Sequence, residues 1–356
     1  RHVQERIRPR QPVPRRRGRG VNIDSGVKMK KEQDQIDSLF SEIKLYRQTS
    51  SYLQLISFIS KCTTLGAYNC MLVYTQNPDV KLAMTASKWK NNFKRGIRDT
   101  AKPMVTLTPF RPISWVYDFK DTYNLEPDLF NAEEETFDYF LNRYNSLFEP
   151  PDKINPVFLS NALSAMPFYG IYVDTTIKDA PTSGGYIQLS SEKVIEFTAG
   201  KKTITRKSSY IIRINQRASD EAQLMTIIHE LGHLLMHHVA PPSDFENKWE
   251  IRLPHHPLID LIGVPANKNM RETEAEIIKE LVCSRLGIND HHNAVFYLAG
   301  YNDFLDMNEL NIEMICKAVD EIERILKGKL KWRDGLLAKQ ISEIRRAVTS
   351  PQEKQE

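Results

Sequence analysis

The sequence predicts an α+β protein, in which a mixed domain of helices and short strands precedes an α+β domain and C-terminal helices. Three observations support this class. Apolar residues between about 34 and 76 recur at three- and four-residue steps, which is the helical period. Short runs of β-branched and aromatic residues follow within 102–118 and again within 171–214. A long apolar helix is expected from about Ser219 to His238.

The N-terminal half is predicted to alternate helices with short strands. Its expected elements are helices from about Asp34, over Tyr52–Lys61 and over Ala67–Gln76, strands over Met104–Leu107 and Ser114–Tyr117, and an acidic helix over Asn131–Phe148. Asn77-Pro78 would end the third helix, because a residue before proline avoids the helical conformation. Pro150-Pro151 mark the predicted domain boundary.

The C-terminal half is predicted to lead from strands into helices. Strands are expected at Ile171–Val173, Tyr186–Leu189 and Tyr210–Ile214, a loop over 240–269, and helices over Ser219–His238, Arg271–Leu286 and 303–348. The predicted organisation is a basic disordered tail over 1–33, an N-terminal domain over 34–150, an α+β domain over 151–302 and amphipathic helices over 303–356.

Composition restricts the class of protein. The chain has 356 residues, 41% of them hydrophobic, which is enough for one large core or two ordinary ones. It contains no run of about 20 apolar residues, so no membrane span is expected, and no apolar segment of a secretory signal follows the basic N-terminus. Its four cysteines lie in apolar helical segments without CxxC spacing. Reduced core thiols are therefore expected, which favours the cytoplasm.

The positive charge is concentrated at the N-terminus. Residues 1–31 contain eight Arg and three Lys against Glu5 and Asp24 and carry a charge of +9, so the net charge of +4 leaves −5 on the remaining residues. The Pro-, Arg- and Gly-rich segment from Arg8 to Gly20 cannot form a packed core. Such a tail could neutralise phosphates or serve as a solvated leader.

The expected long helix carries the pattern HExxH. His229 and His233 are four residues apart, so both rings project from one helical face and can bind one ion. Zinc suits neutral imidazoles and leaves a position for water, from which Glu230 is placed to take a proton. Apolar residues surround the motif on both sides. Because a charged triad in an apolar helix is costly to bury unpaired, this setting favours a Zn²⁺ site over a chance pattern.

A third protein ligand is expected from a later helix. A His six residues after His233 would indicate a metzincin, but that position is Val239. Glu272 and Glu276 share one helical face, whereas Glu274 points roughly opposite and is predicted to be solvated. Glu272 is assigned as ligand and Glu276 as the acceptor that orients a ligand histidine, and the reverse assignment stays open. His237 could be a spare ligand, but more simply lines the cleft or caps the helix.

Residues from about Tyr210 to Ile288 resemble the ImmA/IrrE family of zinc metallopeptidases. The resemblance rests on a strand, the run His-Glu-Leu-Gly-His-Leu-Leu-Met-His-His from His229, and a later helix that opens Glu-x-Glu-Ala at Glu272. It implies a gluzincin-like domain with His229, His233 and Glu272 as zinc ligands and Glu230 as the catalytic base. A peptide or protein would be the substrate.

Residues from about Asp34 to Thr122 are similar to the N-terminal domain of ArdC-type antirestriction proteins. The matching segments are Tyr68–Tyr74, Gln76-Asn77-Pro78, Trp89, Lys94–Ile97 and Val116-Tyr117-Asp118. The resemblance implies binding of single-stranded DNA. The residues are consistent with it, because lysines and arginines that contact phosphates alternate with aromatics that could stack on bases. The predicted contacts are Lys88, Trp89, Lys90, Lys94 and Arg95, and the alternative is a solvated basic face with Trp89 in the core.

Three functions are consistent with these features. The first is an antirestriction or DNA-protection protein of a mobile element, with a single-stranded-DNA-binding domain before a zinc metallopeptidase domain. The second is a regulatory protease that cleaves a repressor of mobile-element genes. The third is a non-catalytic DNA-binding module with a structural zinc ion.

Overall fold

The computed structural model describes residues 49–108, 113–126, 136–144, 155–177, 185–199, 202–239, 268–288 and 310–329. Within these residues the protein is a mixed α+β fold, as predicted. The basic tail over 1–33, the helix expected from Asp34, residues 240–267 of the predicted loop over 240–269, and the residues beyond 329 lie outside the described part of the chain. Residues 268 and 269, also predicted as loop, begin the helix Lys268–Leu286.

The N-terminal half consists of four helices and five short strands in the described residues. They are α1 (Thr49–Lys61), α2 (Ala67–Gln76), β1 (Ala83–Met84), α3 (Ala86–Phe93), β2 (Arg95–Ile97), β3 (Met104–Thr106), β4 (Ser114–Asp118), β5 (Thr122–Asn124) and α4 (Phe137–Arg143). A 3₁₀ turn joins β4 to β5. The helix α2 has the predicted limits and ends before Asn77-Pro78. Strands β1, β4 and β3 form one antiparallel sheet, and β2 pairs with β5.

The second half contains a sheet flanked by longer helices. Its elements are α5 (Val157–Ala165), β6 (Ile171–Ile177), β7 (Gly185–Leu189), β8 (Val194–Ala199), β9 (Lys202–Lys207), β10 (Tyr210–Asn215), α6 (Asp220–Leu235), α7 (Lys268–Leu286) and α8 (Ile312–Leu326). The central strand β10 pairs in parallel with β6 and antiparallel with β7. Three predicted strands and the helix of the HExxH motif are confirmed, whereas α5 and the β8–β9 hairpin were not predicted.

One apolar core joins the two halves. Helix α7 packs against α6, α8 and α1, and α8 also packs against α2. Fully buried residues of this core come from all five helices: Leu55, Ile56, Met71, Ile228, Leu231, Leu281, Val282, Val319 and Ile322. All four cysteines are buried and carry no disulfide bond, as expected. The N-terminal helices α1 and α2 therefore pack on α7 and α8, and α7 also packs on the HExxH helix. The predicted domain limits stay a prediction.

Arg285, on α7, links the two halves by hydrogen bonds. Its guanidinium forms a buried ion pair with Glu323 of α8, at 2.5 Å. It also donates to three carbonyl oxygens around the C-terminal end of α1, those of Ile59 (2.9 Å), Cys62 (2.6 Å) and Leu65 (2.8 Å). These carbonyls lie at the end of α1 or beyond it, where helical hydrogen bonds run out, and the arginine supplies donors to them. The Cys70 thiol also donates to the carbonyls of Cys62 and Leu65, at 3.1 and 3.7 Å.

No helix in the described part of the chain is both long enough and apolar enough to cross a lipid bilayer.

Candidate metal centre

Helix α6 presents the three polar residues of the HExxH motif. Its N-terminus is capped by the Ser219 side chain, which accepts a hydrogen bond from the backbone N–H of Ala222 at 3.2 Å. Asp220 and Glu221 occupy the first turn, where their negative charges interact favourably with the positive end of the helix dipole. The apolar face of the helix is buried, so the motif is held in a fixed helical frame beside α7.

Close packing of α6 on α7 depends on Gly232. A Cβ atom at this position would lie 3.2 Å from the Cα of Ala275. The missing side chain lets the backbone of α7 approach the turn of α6 that lies between the two histidines. This contact sets the distance between the histidines and the glutamates on α7.

Three donor atoms converge between α6 and α7. The Nε2 atoms of His229 and His233 are 3.1 Å apart, and Glu272 Oε2 lies 3.6 Å from the first and 3.5 Å from the second. Ligands at about 2.1 Å from a tetrahedral zinc ion are themselves about 3.4 Å apart. The three distances therefore match the edges of a zinc coordination tetrahedron. Among the described residues, His229, His233 and Glu272 form the group whose donor atoms lie close enough together to hold one metal ion.

Glu276 lies on the outer side of His229. Its Oε2 is 3.1 Å from Nδ1 of that histidine, and its other oxygen pairs with Lys279. Burial alone would lower the pKa of His229, but the hydrogen bond to Glu276 and the charges of Glu230, Glu276 and Glu272 raise it. Of the two glutamates predicted to share a face, Glu272 lies near the Nε2 atoms of both histidines, as a ligand would. Glu276 contacts Nδ1 of His229, as a residue that orients a ligand would.

Burial sets the protonation of the other two motif residues. It raises the pKa of Glu230 to about 7, although the charge of His229 and a hydrogen bond from the backbone N–H of Ile187 act in the opposite direction. Burial, followed by the charges of His229, His238 and Arg271, lowers the pKa of His233 to about 3. His233 is therefore neutral, which is the form that binds a metal ion.

Residues 188–253 match the family model described as the IrrE N-terminal-like domain, Peptidase_M78.

The Peptidase_M78 match begins in β7 and includes α6 with the whole HExxH motif. It supports a peptidase-type domain in this part of the chain, but ends before α7, so Glu272 and Glu276 rest on the geometry alone. No curated protein and no solved structure matches the chain. The family model does not reach residues 34–122, and the resemblance of that segment to ArdC-type proteins stays a prediction.

The prediction for Glu274 is wrong. This residue was expected to be solvated, but its side chain is buried, and its oxygens contact His238 Nε2 at 2.9 Å and the backbone N–H of Asn311 at 3.1 Å. The face of α7 opposite Glu272 does not meet solvent, because the turn after α6 and the start of α8 cover it. His237 is not one of the three donor residues, and it follows the end of α6 with a φ of 59°.

The five residues predicted to contact DNA lie in two environments. Lys88, Lys90 and Lys94 are exposed on and after α3. Trp89 is fully buried in an aromatic core, where its indole N–H donates to the Tyr117 carbonyl at 2.9 Å. Arg95 is also buried, and its guanidinium lies 4.3 Å from the centre of the Phe119 ring. A base cannot stack on Trp89 in this structure, so stacking on this residue is corrected to a role in the core.

Proposed function

We propose that this protein is a zinc-dependent peptidase in which His229, His233 and Glu272 hold the metal and Glu230 is the general base. The observation that carries the proposal is the triangle of donor atoms with edges of 3.1, 3.5 and 3.6 Å, adjacent to a buried glutamate. The Peptidase_M78 match over the same helix supports a peptidase reaction in preference to a structural zinc site.

The chemistry of the reaction is divided between the ion and the chain. A bound Zn²⁺ supplies an acidified water molecule and polarises the scissile carbonyl. Glu230 takes a proton from the attacking water at its carboxylate and delivers it to the amine nitrogen of the departing product. One carboxylate can make both transfers, because it accepts the proton from water and releases it to the more basic amine.

Strand β7 provides a surface for an extended peptide. It lies at one end of the strand order β6-β10-β7, so in the described residues its outer edge is not paired. The backbone N–H of Ile187, in the middle of this strand, donates to Glu230. A peptide that adds to the free edge by backbone hydrogen bonds would therefore lie beside the base. In its more specific form, the proposal is that the cleaved protein is a repressor, as in the regulatory protease hypothesis.

Zinc binding by ligand variants tests the metal site. Glu272→Ala should lower zinc affinity by more than about 10²-fold, because a ligand is removed, whereas Glu276→Ala should lower it about 10–100-fold, because only the support of His229 is lost. Affinity is measured for the full chain by competition with a chromophoric chelator, and the exposed Glu192→Ala variant serves as control. Undiminished affinity in Glu272→Ala would refute its assignment, and an effect larger for Glu276→Ala would reverse the two roles.

We also infer a second function, binding of single-stranded nucleic acid near Tyr123. This ring lies directly over Gly96 of the paired strand β2, since a Cβ atom there would be 2.5 Å from Tyr123 Cζ. The side chain is 44% exposed, and the exposed Lys94 is close in sequence to Gly96. Unlike Trp89, Tyr123 offers a supported aromatic surface to solvent, beside positive charge that can neutralise phosphates.

Tyr123→Ala should weaken binding of a fluorescent oligo(dT) to the full chain at least fivefold, because stacking contributes about 1–3 kcal/mol per base. Anisotropy titrations at several salt concentrations measure the effect. The control is Tyr139→Ala, which removes a similarly exposed ring on α4. Absence of salt-dependent binding by the unmodified protein would refute nucleic-acid binding, and equal affinity for Tyr123→Ala would refute this surface.

A further inference from the structure

His238 lies beside the ligand histidines although it follows the end of α6. The backbone N–H of His238 donates to the His233 carbonyl at 2.9 Å, and that of His237 donates to the Leu234 carbonyl at 3.1 Å. With His237 in the left-handed conformation, these two bonds form the turn that commonly ends helices. The turn folds the His238 ring back onto the last helical turn, and its centre lies 5.2 Å from that of His233.

A continuous line of hydrogen bonds connects His233 to α7 through His238. The Nδ1 atoms of the two histidines are 3.0 Å apart, and His238 Nε2 is 2.9 Å from Glu274 Oε2. The other oxygen of Glu274 accepts from the backbone N–H of Asn311 at 3.1 Å. The side chains of His238 and Glu274 are only 2% and 4% exposed. Water therefore has little access to compete for these bonds.

The line of bonds determines which nitrogen of each ring carries hydrogen. A carboxylate oxygen only accepts, so His238 donates from Nε2; in the tautomer with its hydrogen there, Nδ1 is left to accept. His233 must then donate from Nδ1, which leaves the lone pair on His233 Nε2. That atom is the one that faces His229 Nε2 and Glu272.

We propose that His238 and Glu274 are positioning residues that fix the orientation and tautomer of His233 for metal binding. The inference rests on the proposed metal site. It explains why the two ligand histidines are supported differently. Glu276 contacts His229 directly, whereas Glu274 is on the opposite face of α7 and contacts His233 through the intervening ring of His238.

Zinc affinity of the full chain, measured by chelator competition, tests the pair. His238→Phe keeps a ring but removes the acceptor for His233 Nδ1, and we expect zinc binding to weaken about 10–100-fold. His238→Asn should recover part of this loss, since its Oδ1 can accept the same hydrogen bond. Glu274→Gln should weaken binding severalfold, because its amide can donate to His238 and reverse both tautomers. The absorption spectrum of bound Co²⁺ should change in His238→Phe.

The matched control is His237→Gly, which preserves the left-handed turn and should bind zinc within about twofold of the unmodified chain. Thermal unfolding of the metal-free variants identifies any that fail to fold, and Glu274→Gln carries the test if His238→Phe does not fold. A folded His238→Phe with unchanged zinc affinity and unchanged Co²⁺ spectrum, or in its place a folded Glu274→Gln with unchanged zinc affinity, would overturn the positioning role and leave the metal site intact. Absence of zinc binding by the unmodified chain would instead overturn the proposed function itself.

Discussion

Glu230→Gln is expected to reduce peptide hydrolysis about 10²- to 10⁴-fold while zinc content stays unchanged. The amide has nearly the shape of the carboxylate and can still accept the hydrogen bond from Ile187, but it cannot take a proton from water. The measurement is turnover of a library of internally quenched peptides with excess zinc, together with metal content per chain. Asp220→Asn, an exposed carboxylate in the first turn of the same helix, is the matched control.

Two results would contradict this expectation. Wild-type turnover by Glu230→Gln would show that another group is the base. A zinc-loaded unmodified chain that cleaves no peptide in the library would favour the alternative in which the zinc site is structural.

Arg285→Met is expected to lower the free energy of unfolding by about 1–3 kcal/mol, because Oε1 of the buried Glu323 carboxylate loses its donor. The other oxygen, Oε2, keeps its ion pair with Lys327 at 2.6 Å. The change also removes the donor to three carbonyl oxygens at the end of α1. Urea unfolding followed by circular dichroism measures the loss. A second substitution, Glu323→Leu, should recover part of it, since the buried carboxylate oxygen that lost its donor is then absent.

Lys317→Met is the matched control, because Lys317 and Glu313 form an i,i+4 pair on α8 in which both side chains stay partly exposed, at 24% and 23%. Such a pair contributes about 0–1 kcal/mol. An Arg285→Met protein no less stable than Lys317→Met would show that the buried ion pair does not stabilise the contact between the two halves.

Periodicity was sufficient to predict the elements with long apolar faces. Helix α2 has the predicted limits, because Asn77-Pro78 supplies a stop signal that depends on the chain alone. The HExxH helix and the strand β10 before it were predicted from the spacing of their apolar residues. The β8–β9 hairpin was missed, although apolar and polar residues alternate from Ile195 to Ala199 in its first strand.

The sequence was insufficient to predict which segments cover a given helix face, because those segments are distant along the chain. Helical spacing separates Glu274 from Glu272 and Glu276, but does not show that the start of α8 covers it. His238 is five positions after His233, so on a continued helix it would point about 140° away. It contacts His233 only because the backbone reverses at His237, a residue with a side chain in a conformation that usually favours glycine.

The shared core also has a consequence for how the chain folds during synthesis. Its contacts join α1 and α2 to α7 and α8, more than two hundred residues later, as in the hydrogen bond between Arg285 and Ile59. Contacts so distant in sequence form slowly, because a long loop must close before they stabilise the chain. The apolar faces of α1 and α2 are therefore translated long before their partners, and chaperones that shield such faces would have their main task in that interval.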